Sequence, residues 1–206
     1  MRNIKTWSID MILTDIPYWE VSKNWEARAK YEWQLRNIDK SHADILDFNL
    51  REFLQECSRI AKWWIYIFCW IEQVWEIHWY FKNHKDFMVR QCWWRKSNPS
   101  PANWQHMWLS SFENCIFAKR RKTNFYQSCK NAIWEFPSWR SKVHPTEKPL
   151  KLFEYLVESS SSEWDLILDP CAWSGTAWVA CQNLNRNYIL IEREEEYISI
   201  IENRLK

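Results

Sequence analysis

Glycine is nearly absent from this chain, which has one Gly and 18 Trp among its 206 residues. An average globular protein contains roughly 7% Gly, so about 14 would be expected here. Several Trp stand in polar, turn-like surroundings, where Gly is common and an indole has no core to fill. These are Trp7, Trp25, Trp139, Trp164 and Trp173. We therefore hypothesise that many Trp are glycines in the natural product, encoded by UGA codons that its source lineage reads as Gly.

Some Trp do not fit this hypothesis. Trp94, Trp108 and Trp134 stand in apolar, strand-like surroundings that suit an aromatic side chain. The alternative to recoding is a truly Trp-rich surface, such as one that binds carbohydrate. The codons distinguish the two, because UGG at Trp19 and at the turn-like positions would contradict recoding.

Three further absences exclude other classes of protein. No apolar run approaches the roughly 18 residues of a membrane span, so no membrane partner is predicted. The seven Cys include no Cys-x-x-Cys pair and no close pairing with His, so neither a metal site nor a disulfide framework is predicted. No signal peptide precedes Ile9. Together these absences favour a cytoplasmic protein with reduced thiols.

Positive charge is concentrated in one stretch of the chain. The formal net charge is only +2, yet residues 90–142 hold ten Lys and Arg against two acidic residues, Glu113 and Glu135. Such a local excess favours a polyanionic partner. The alternative is a solvated charged face.

Strand-like runs alternate with segments of helical period. The predicted strands are 9–14, 64–69, 87–94, 112–119, 166–168 and 188–191. The predicted helices are 46–60, 71–81, 150–158, 176–184 and one that starts at 194. This alternation predicts a single α/β domain with a mostly parallel sheet.

The clearest unit is the carboxyl-terminal strand, turn, helix and strand. Its turn, Ala172 to Gly175, allows close approach of backbone to a ligand and presents helix N-terminal amides. Glu192 stands 23 positions after Asp169, close to the roughly 20-residue offset at which an acid binds ribose hydroxyls in βαβ units. The unit therefore predicts a nucleoside-containing cofactor, and a purely structural turn is the alternative.

A second centre, Asp15-Ile-Pro-Tyr18, follows the first predicted strand. Parallel sheets bind ligands beyond the carboxyl ends of their strands, so we expect both centres to face one crevice. The Asp15 carboxylate can accept a hydrogen bond from an amino group, and the Tyr18 ring can stack on a flat substrate. A plain turn is the alternative.

Five segments together resemble the amino-group DNA methyltransferases. Thr14-Asp-Ile-Pro-Tyr18 resembles their motif IV (Asp-Pro-Pro-Tyr), and Leu168-Asp-Pro-Cys-Ala-Trp-Ser-Gly-Thr176 resembles motif I (Leu-Asp-Pro-Phe-Ala-Gly-Ser-Gly-Thr). His144-Pro-Thr-Glu-Lys-Pro149 resembles motif X, and Tyr188-Ile-Leu-Ile-Glu192 with its trailing helix resembles motif II. Trp94-Arg-Lys-Ser-Asn-Pro-Ser-Pro101 is similar to their Trp-x-Lys-x-Asn-Pro segment. The order, catalytic motif first and cofactor motif last, is that of the β class.

The resemblance implies a Rossmann-like S-adenosylmethionine-dependent methyltransferase fold, with helices on both faces of the sheet and a small basic target-recognition insert at 97–142. It implies methyl transfer to the amino group of a base flipped from double-stranded DNA. The implied catalytic residues are Asp15, Ile16, Pro17 and Tyr18. The implied S-adenosyl-L-methionine-binding residues are His144, Thr146, Lys148, Asp169, Pro170, Cys171, Ala172, Trp173, Ser174, Gly175, Thr176 and Glu192. The implied DNA-binding residues are Arg95, Lys96, Asn98, Lys119, Arg120, Arg121 and Lys122.

Two departures from the family pattern affect these expectations. Ile16 replaces a usual Pro, which keeps the backbone carbonyl but loses rigidity, and Trp173 replaces a Gly where the methionine end of the cofactor should lie.

The resemblance also bears on the target base, because in the family an Asp at the head of motif IV, here Asp15, favours adenine N6 over cytosine N4. The alternatives are an RNA amino-group methyltransferase and, if the Trp residues are real, an inactive DNA-binding relative. A homodimer and a partner restriction enzyme are both compatible with the motifs.

Overall fold

The computed structural model describes residues 1–17, 48–101, 106–126, 131–138 and 147–204. Within these ranges seven strands form one sheet, in the order β5-β3-β4-β2-β1-β6-β7. The strands are β1 (Ile9–Asp15), β2 (Ala61–Cys69), β3 (Phe87–Lys96), β4 (Phe112–Arg120), β5 (Ile133–Phe136), β6 (Leu166–Asp169) and β7 (Asn187–Leu190). The helices are α1 (Leu50–Ile60), α2 (Val74–Asn83), α3 (Leu150–Ser160), α4 (Thr176–Asn183) and α5 (Glu195–Arg204), with a 3₁₀ turn at Ile71–Gln73.

Strand β4 runs antiparallel to the other six strands of this sheet. It pairs antiparallel with both β2 and β3, whereas β1 pairs parallel with β2 and β6, β6 with β7, and β3 with β5. The start of β4 therefore lies beside the carboxyl ends of its neighbours. Its end lies at the opposite edge of the sheet.

The core has two halves, one on each face of the sheet. Along β2, Ile65 and Ile67 join the cluster with α1 and α2, while Trp64, Tyr66 and Phe68 join the cluster with α3 and α4. This alternation follows from the two-residue period of a strand, and both faces are apolar because both are covered. The predicted α/β fold, with a mostly parallel sheet between helices, is confirmed.

Some sequence predictions differ from the structure in detail. Strand β5, of four residues, is not among the predicted strands. Trp94 and Trp134 are buried in strands as expected, but the expectation for Trp108 is wrong, because its side chain is 99% exposed outside any strand. Helix α1 begins at Leu50, where Asn49 caps it by accepting a hydrogen bond from the Glu52 amide at 3.0 Å. Among the described residues, no helix is long and apolar enough to cross a membrane.

Candidate active site

Asp15, the last residue of β1, brings a carboxylate to the carboxyl edge of the sheet. The parallel ladder continues one residue further, since the amide of the buried Ile16 donates to the Phe68 carbonyl at 3.2 Å. Gln73 then fixes the turn, because its side-chain amide donates to the Pro17 carbonyl at 2.9 Å. The chain after β1 is therefore held from two sides. The predicted stacking residue Tyr18 lies outside the described residues.

The motif I turn lies between β6 and α4. The buried Asp169 at the end of β6 accepts a hydrogen bond from the Cys171 amide at 3.1 Å, and burial raises the pKa of its carboxyl group well above the usual value. Gly175 immediately precedes α4 with φ +80°, and a Cβ there would lie 3.2 Å from the Ile201 side chain. The single Gly of the chain is thus favoured by its left-handed backbone conformation and by the close approach of the Ile201 side chain.

Glu192 and the turn meet, as the sequence predicted. The Glu192 carboxylate follows β7 and accepts a hydrogen bond from the Trp173 amide at 2.7 Å. Its other oxygen accepts from the amides of Arg193 and Glu194, at 2.7 and 3.0 Å. These bonds fix the Glu192 carboxylate against the backbone of the motif I turn.

The indole of Trp173 fills the space between the two predicted centres. Its ring nitrogen donates to the Asp15 carbonyl at 2.7 Å, and the ring packs edge-on against Tyr197 with a centroid separation of 5.4 Å. The cavity lined by Asp15, Asp169 and Trp173 has a volume of only about 20 Å³, room for about one water molecule. Both centres therefore face one crevice, but the Trp173 side chain occupies it.

Motif X packs against motif I through Glu147. This carboxylate accepts hydrogen bonds from the Thr176 hydroxyl at 3.1 Å and from Arg204 of α5 at 2.8 Å. Of the predicted motif X residues, Lys148 belongs to the site, whereas His144 and Thr146 lie outside the described residues. Glu147 was missed as a candidate, although it stands inside the motif.

Lys148 joins two carboxylates from different strands. Its side chain is 3% exposed, and its ammonium group pairs with the Asp15 carboxylate and with Glu113 at 3.1 Å. Burial opposes the charged form, but the two carboxylates outweigh it and raise the pKa of Lys148. Burial likewise acts to raise the pKa of Glu113, but Lys148 and Lys96 outweigh it and lower that pKa below its ordinary value. Glu113 is not among the residues predicted from the sequence, because no local pattern marks it as lying near Asp15.

The predicted DNA-binding residues fall into two separate groups. Arg95, Lys96 and Asn98 lie at the carboxyl edge, beside the start of β4. Arg95 pairs with Glu135 at 2.9 Å, Lys96 pairs with Glu113 at 2.8 Å, and Asn98 exchanges hydrogen bonds with Ser138.

The second group of predicted DNA-binding residues lies at the opposite edge of the sheet, where the parallel strands begin. Lys119 pairs with Trp64 in the sheet, whereas Asp15 pairs with Phe68, so Lys119 is about 13 Å further along the strand direction. Arg120 is engaged within the fold, donating to the carbonyls of Ser58 and Ala61 at 2.9 and 3.2 Å. Arg121 and Lys122 follow it away from the crevice. The predicted DNA-binding residues are therefore divided between the two edges of the sheet, because β4 is antiparallel to its neighbours.

Comparison with known proteins identifies the family. Residues 9–203 match the model of a DNA methylase family whose members act at N6 or N4. The chain belongs to this family of amino-group DNA methylases, so the resemblance of its motifs is confirmed.

Individual relatives agree with this assignment. The chain is 30% identical to the type II methyltransferase M2.MboI of Moraxella bovis, over 99% of this chain and 83% of that protein. It is 27% identical to the type II methyltransferase M.HinfI of Haemophilus influenzae, over 100% of this chain and 65% of that protein. The chain thus spans slightly less than two thirds of the length of M.HinfI.

Solved structures confirm the fold. The crystal structure of the M1.HpyAVI–SAM complex matches with a TM-score of 0.72 and 25% identity, covering 100% of this chain and 91% of that one. The cytosine-N4-specific PvuII DNA methyltransferase matches with a TM-score of 0.75 and 13% identity, covering 100% and 82%. The predicted methyltransferase fold is confirmed by both, and the first of these neighbours holds S-adenosylmethionine.

Proposed function

We propose that this protein transfers the methyl group of S-adenosylmethionine to the exocyclic amino group of a base flipped out of double-stranded DNA, and that the base is adenine. The observation that carries the proposal is the convergence of Asp15, the motif I turn and Glu192 at one crevice. Membership of the N6/N4 DNA methylase family supports the reaction class. Asp15 at the head of motif IV supports adenine N6 over cytosine N4.

The backbone of the site fits a nucleoside-containing cofactor. The turn ends in a left-handed Gly at the start of α4, and Glu192 offers a fixed carboxylate for ribose hydroxyls. S-adenosylmethionine, when bound, supplies an electrophilic sulfonium methyl group. The Trp173 side chain is the one feature of this turn that does not fit, because it lies where part of that molecule would be.

The chain's own residues would prepare the amino group for transfer. The lone pair of an exocyclic amine is delocalised into the base, so the amine is a poor nucleophile. Hydrogen bonds from its N–H groups to the Asp15 carboxylate and the Ile16 carbonyl localise that lone pair and orient it. Fixed acceptors in place of bulk water lower the barrier, because they need no rearrangement during the reaction. Flipping the base first costs a few kcal/mol of unstacking.

We also propose that Trp173 and several other Trp positions are Gly in the natural protein. Backbone strain supports this, because three of the four non-Gly residues with positive φ in the described ranges are Trp7, Trp164 and Trp173. A left-handed conformation costs an L-residue about 1–2 kcal/mol and costs Gly nothing. Burial gives separate support. Within the described residues, the indole N–H groups of Trp64 and Trp178 are buried without a hydrogen-bond partner, and a buried unpaired donor destabilises the fold. Translation of UGA codons as Trp explains both observations.

The direct test is methyl transfer by a glycine-restored chain, defined as the full chain with Trp19→Gly and Trp173→Gly. Labelled S-adenosylmethionine is incubated with double-stranded DNA of mixed sequence, and with RNA in parallel. We expect label in N6-methyladenine of the DNA and none in the Asp15→Ala version. Label in N4-methylcytosine would overturn the choice of base, and label in RNA alone would favour the RNA enzyme. Absence of cofactor binding by the glycine-restored chain would support an inactive relative, whereas cofactor binding without transfer to either would mean that a partner or the target sequence is missing.

Four further features belong to the same proposal. We expect DNA to approach the carboxyl edge, where Arg95, Lys96 and Asn98 lie. A homodimer, a partner restriction enzyme and a cytoplasmic location remain predictions from the sequence. The dimer is tested by measuring the mass of the glycine-restored chain in solution with and without DNA.

A further inference from the structure

Four charged side chains form a line that ends at the predicted catalytic carboxylate. In order they are Lys96, Glu113, Lys148 and Asp15, with 2.8 Å between Lys96 and Glu113 and 3.1 Å between Glu113 and Lys148. Lys148 then pairs with Asp15. The charges alternate in sign along the line and sum to zero. Each interior member thus has an opposite charge on either side.

The line is largely shielded from water. The Lys148 side chain is 3% exposed, and those of Lys96, Glu113 and Asp15 are between 17% and 21% exposed. Removing one partner of a shielded pair leaves the other charge uncompensated, which is far more costly than the same loss at the surface. Without the Glu113 charge, the ammonium groups of Lys96 and Lys148 would both lose the carboxylate that pairs with them.

The backbone holds Glu113 rigidly. Glu113 is the second residue of β4 and pairs with Trp94 of β3, while its neighbour Asn114 pairs with Cys69 of β2. Strands on both sides therefore fix its position at the carboxyl edge. Lys148, by contrast, stands in the segment that leads into α3. Glu113 thus offers Lys148 a carboxylate whose backbone is fixed by two neighbouring strands.

We propose that Glu113 is a positioning residue for methyl transfer: by holding Lys148, it fixes the Asp15 carboxylate in the orientation that receives the amino group of the target base. This inference rests on the catalytic role proposed above for Asp15. A carboxylate held on one side by an ammonium group presents its remaining lone pairs in a defined direction. A displacement of about 1 Å at a reacting group can cost about 100-fold in rate.

The first test measures steady-state kinetics of Glu113→Gln in the glycine-restored chain. We expect kcat to fall about 100-fold, while the dissociation constant of S-adenosylmethionine changes less than about twofold. Glu113→Asp, which keeps the charge, should recover part of the rate. The control is Glu52→Gln, the same substitution in the exposed pair with Arg2. An unchanged kcat in a folded Glu113→Gln protein would overturn the proposal, and Glu113→Asp serves if the Gln variant does not fold.

A double-mutant cycle separates positioning from general support of the fold. If Glu113 acts through Asp15, then Glu113→Gln should lower the single-turnover rate of the Asp15→Asn protein by less than about twofold, since the carboxylate to be oriented is gone. A full 100-fold loss in that background would show that Glu113 acts elsewhere and would contradict the proposal.

A measurement without activity distinguishes failure of this inference from failure of the proposed function. The carbon-13 resonance of the Asp15 carboxyl group is recorded at neutral pH in the chain that keeps Trp19 and Trp173. We expect Glu113→Gln to move this resonance and Glu52→Gln to leave it in place. An unmoved resonance would overturn the positioning role even in an active enzyme. A moved resonance would support that role even if the glycine-restored chain transferred no methyl group to nucleic acid.

Discussion

Strained backbone occurs both at the amino edge of the sheet, where the parallel strands begin, and at the carboxyl edge, where they end. Its consequences differ between the two. Trp7 and Trp164 have positive φ in the turns that lead into β1 and β6, at the amino edge, where their side chains are 62% and 71% exposed. Trp173 has positive φ in the turn that leaves β6, at the carboxyl edge, and its indole reaches the Asp15 carbonyl. The amino-edge side chains project into solvent. The carboxyl-edge side chain fills the crevice of the proposed active site.

This difference follows from how parallel sheets bind ligands. Beyond the carboxyl ends of the strands, neighbouring connections diverge and leave a crevice, so a side chain there competes with a ligand. At the amino edge, connections close over the sheet. Trp7, for example, lies against the Arg120 guanidinium, 5.1 Å from the ring centroid, and its amide donates to Arg59. A large side chain at the amino edge therefore affects stability, whereas one at the carboxyl edge affects binding as well.

Replacing Trp173 should give the largest effect. We expect Trp173→Gly to change the affinity for S-adenosylmethionine from no saturable binding below about 1 mM to a dissociation constant of about 1 μM, a gain of about 1000-fold. Trp173→Ala also removes the indole but keeps a Cβ at φ +47°, so it should bind more weakly than the Gly variant. Isothermal titration calorimetry measures both. Equal, weak binding by all three proteins would contradict the steric explanation.

The two Asp residues of β1 provide a matched comparison of the edges. Asp15 lies at the carboxyl edge, whereas Asp10 lies near the amino edge, where it pairs with Lys62 at 2.8 Å and accepts from the Leu166 amide. In the glycine-restored chain we expect Asp15→Ala to lower kcat by about 100- to 1000-fold. Asp10→Ala should lower the melting temperature while kcat per folded molecule changes less than about twofold. A comparable loss of kcat per folded molecule in both would contradict a special role of Asp15 in the reaction.

Glu113 should make stability depend on pH in a defined direction. Its pKa in the folded protein lies below the ordinary value of 4.5, because Lys148 and Lys96 outweigh the effect of burial. The ionised form therefore stabilises the fold above pH 4.5, and this contribution is lost as pH falls through the folded pKa. We expect Glu113→Gln to lower the free energy of unfolding by about 2 kcal/mol at neutral pH, with the difference narrowing below pH 4.5. Urea unfolding at several pH values measures it, and a constant difference would contradict the assignment.

Basic residues at the two edges should differ in how they affect DNA binding. Arg95 lies at the carboxyl edge and Lys122 beyond the end of β4 at the amino edge. If Arg95 contacts a phosphate, Arg95→Ala should reduce the slope of log affinity against log salt concentration by about 1, whereas Lys122→Ala should leave it unchanged. Fluorescence anisotropy with the glycine-restored chain measures both slopes. A reduced slope for Lys122→Ala instead would place DNA across the amino edge.

Local patterns predicted the motifs and elements well, but not the meeting of distant residues. Asp15 ends a strand and Gly175 precedes a helix, as the few residues around each predict. Glu192 contacts the motif I turn, as the usual length of a βαβ unit predicts. The direction of β4 depends on pairing between segments far apart in the chain. That direction brings Glu113 to Lys148 and takes Lys119 away from the crevice. No local sequence pattern predicts the direction of β4.

The smallest effect tests backbone strain alone, at the amino edge. Trp164 has φ +69°, and its backbone is held by bonds to Asn185 at 2.8 Å and Asn187 at 2.6 Å. Trp164→Gly and Trp164→Ala both remove an exposed indole, so their difference isolates the left-handed conformation. We expect the Gly variant to be more stable by about 1 kcal/mol, or about 2–4 °C in melting temperature. At Trp79, 56% exposed within α2, the same pair should differ by about 1 kcal/mol in the opposite direction, because Gly is a poor helix former. A Trp164→Gly protein no more stable than Trp164→Ala would mean that the strain at Trp164 is not relieved by Gly, and would remove the backbone argument for recoding.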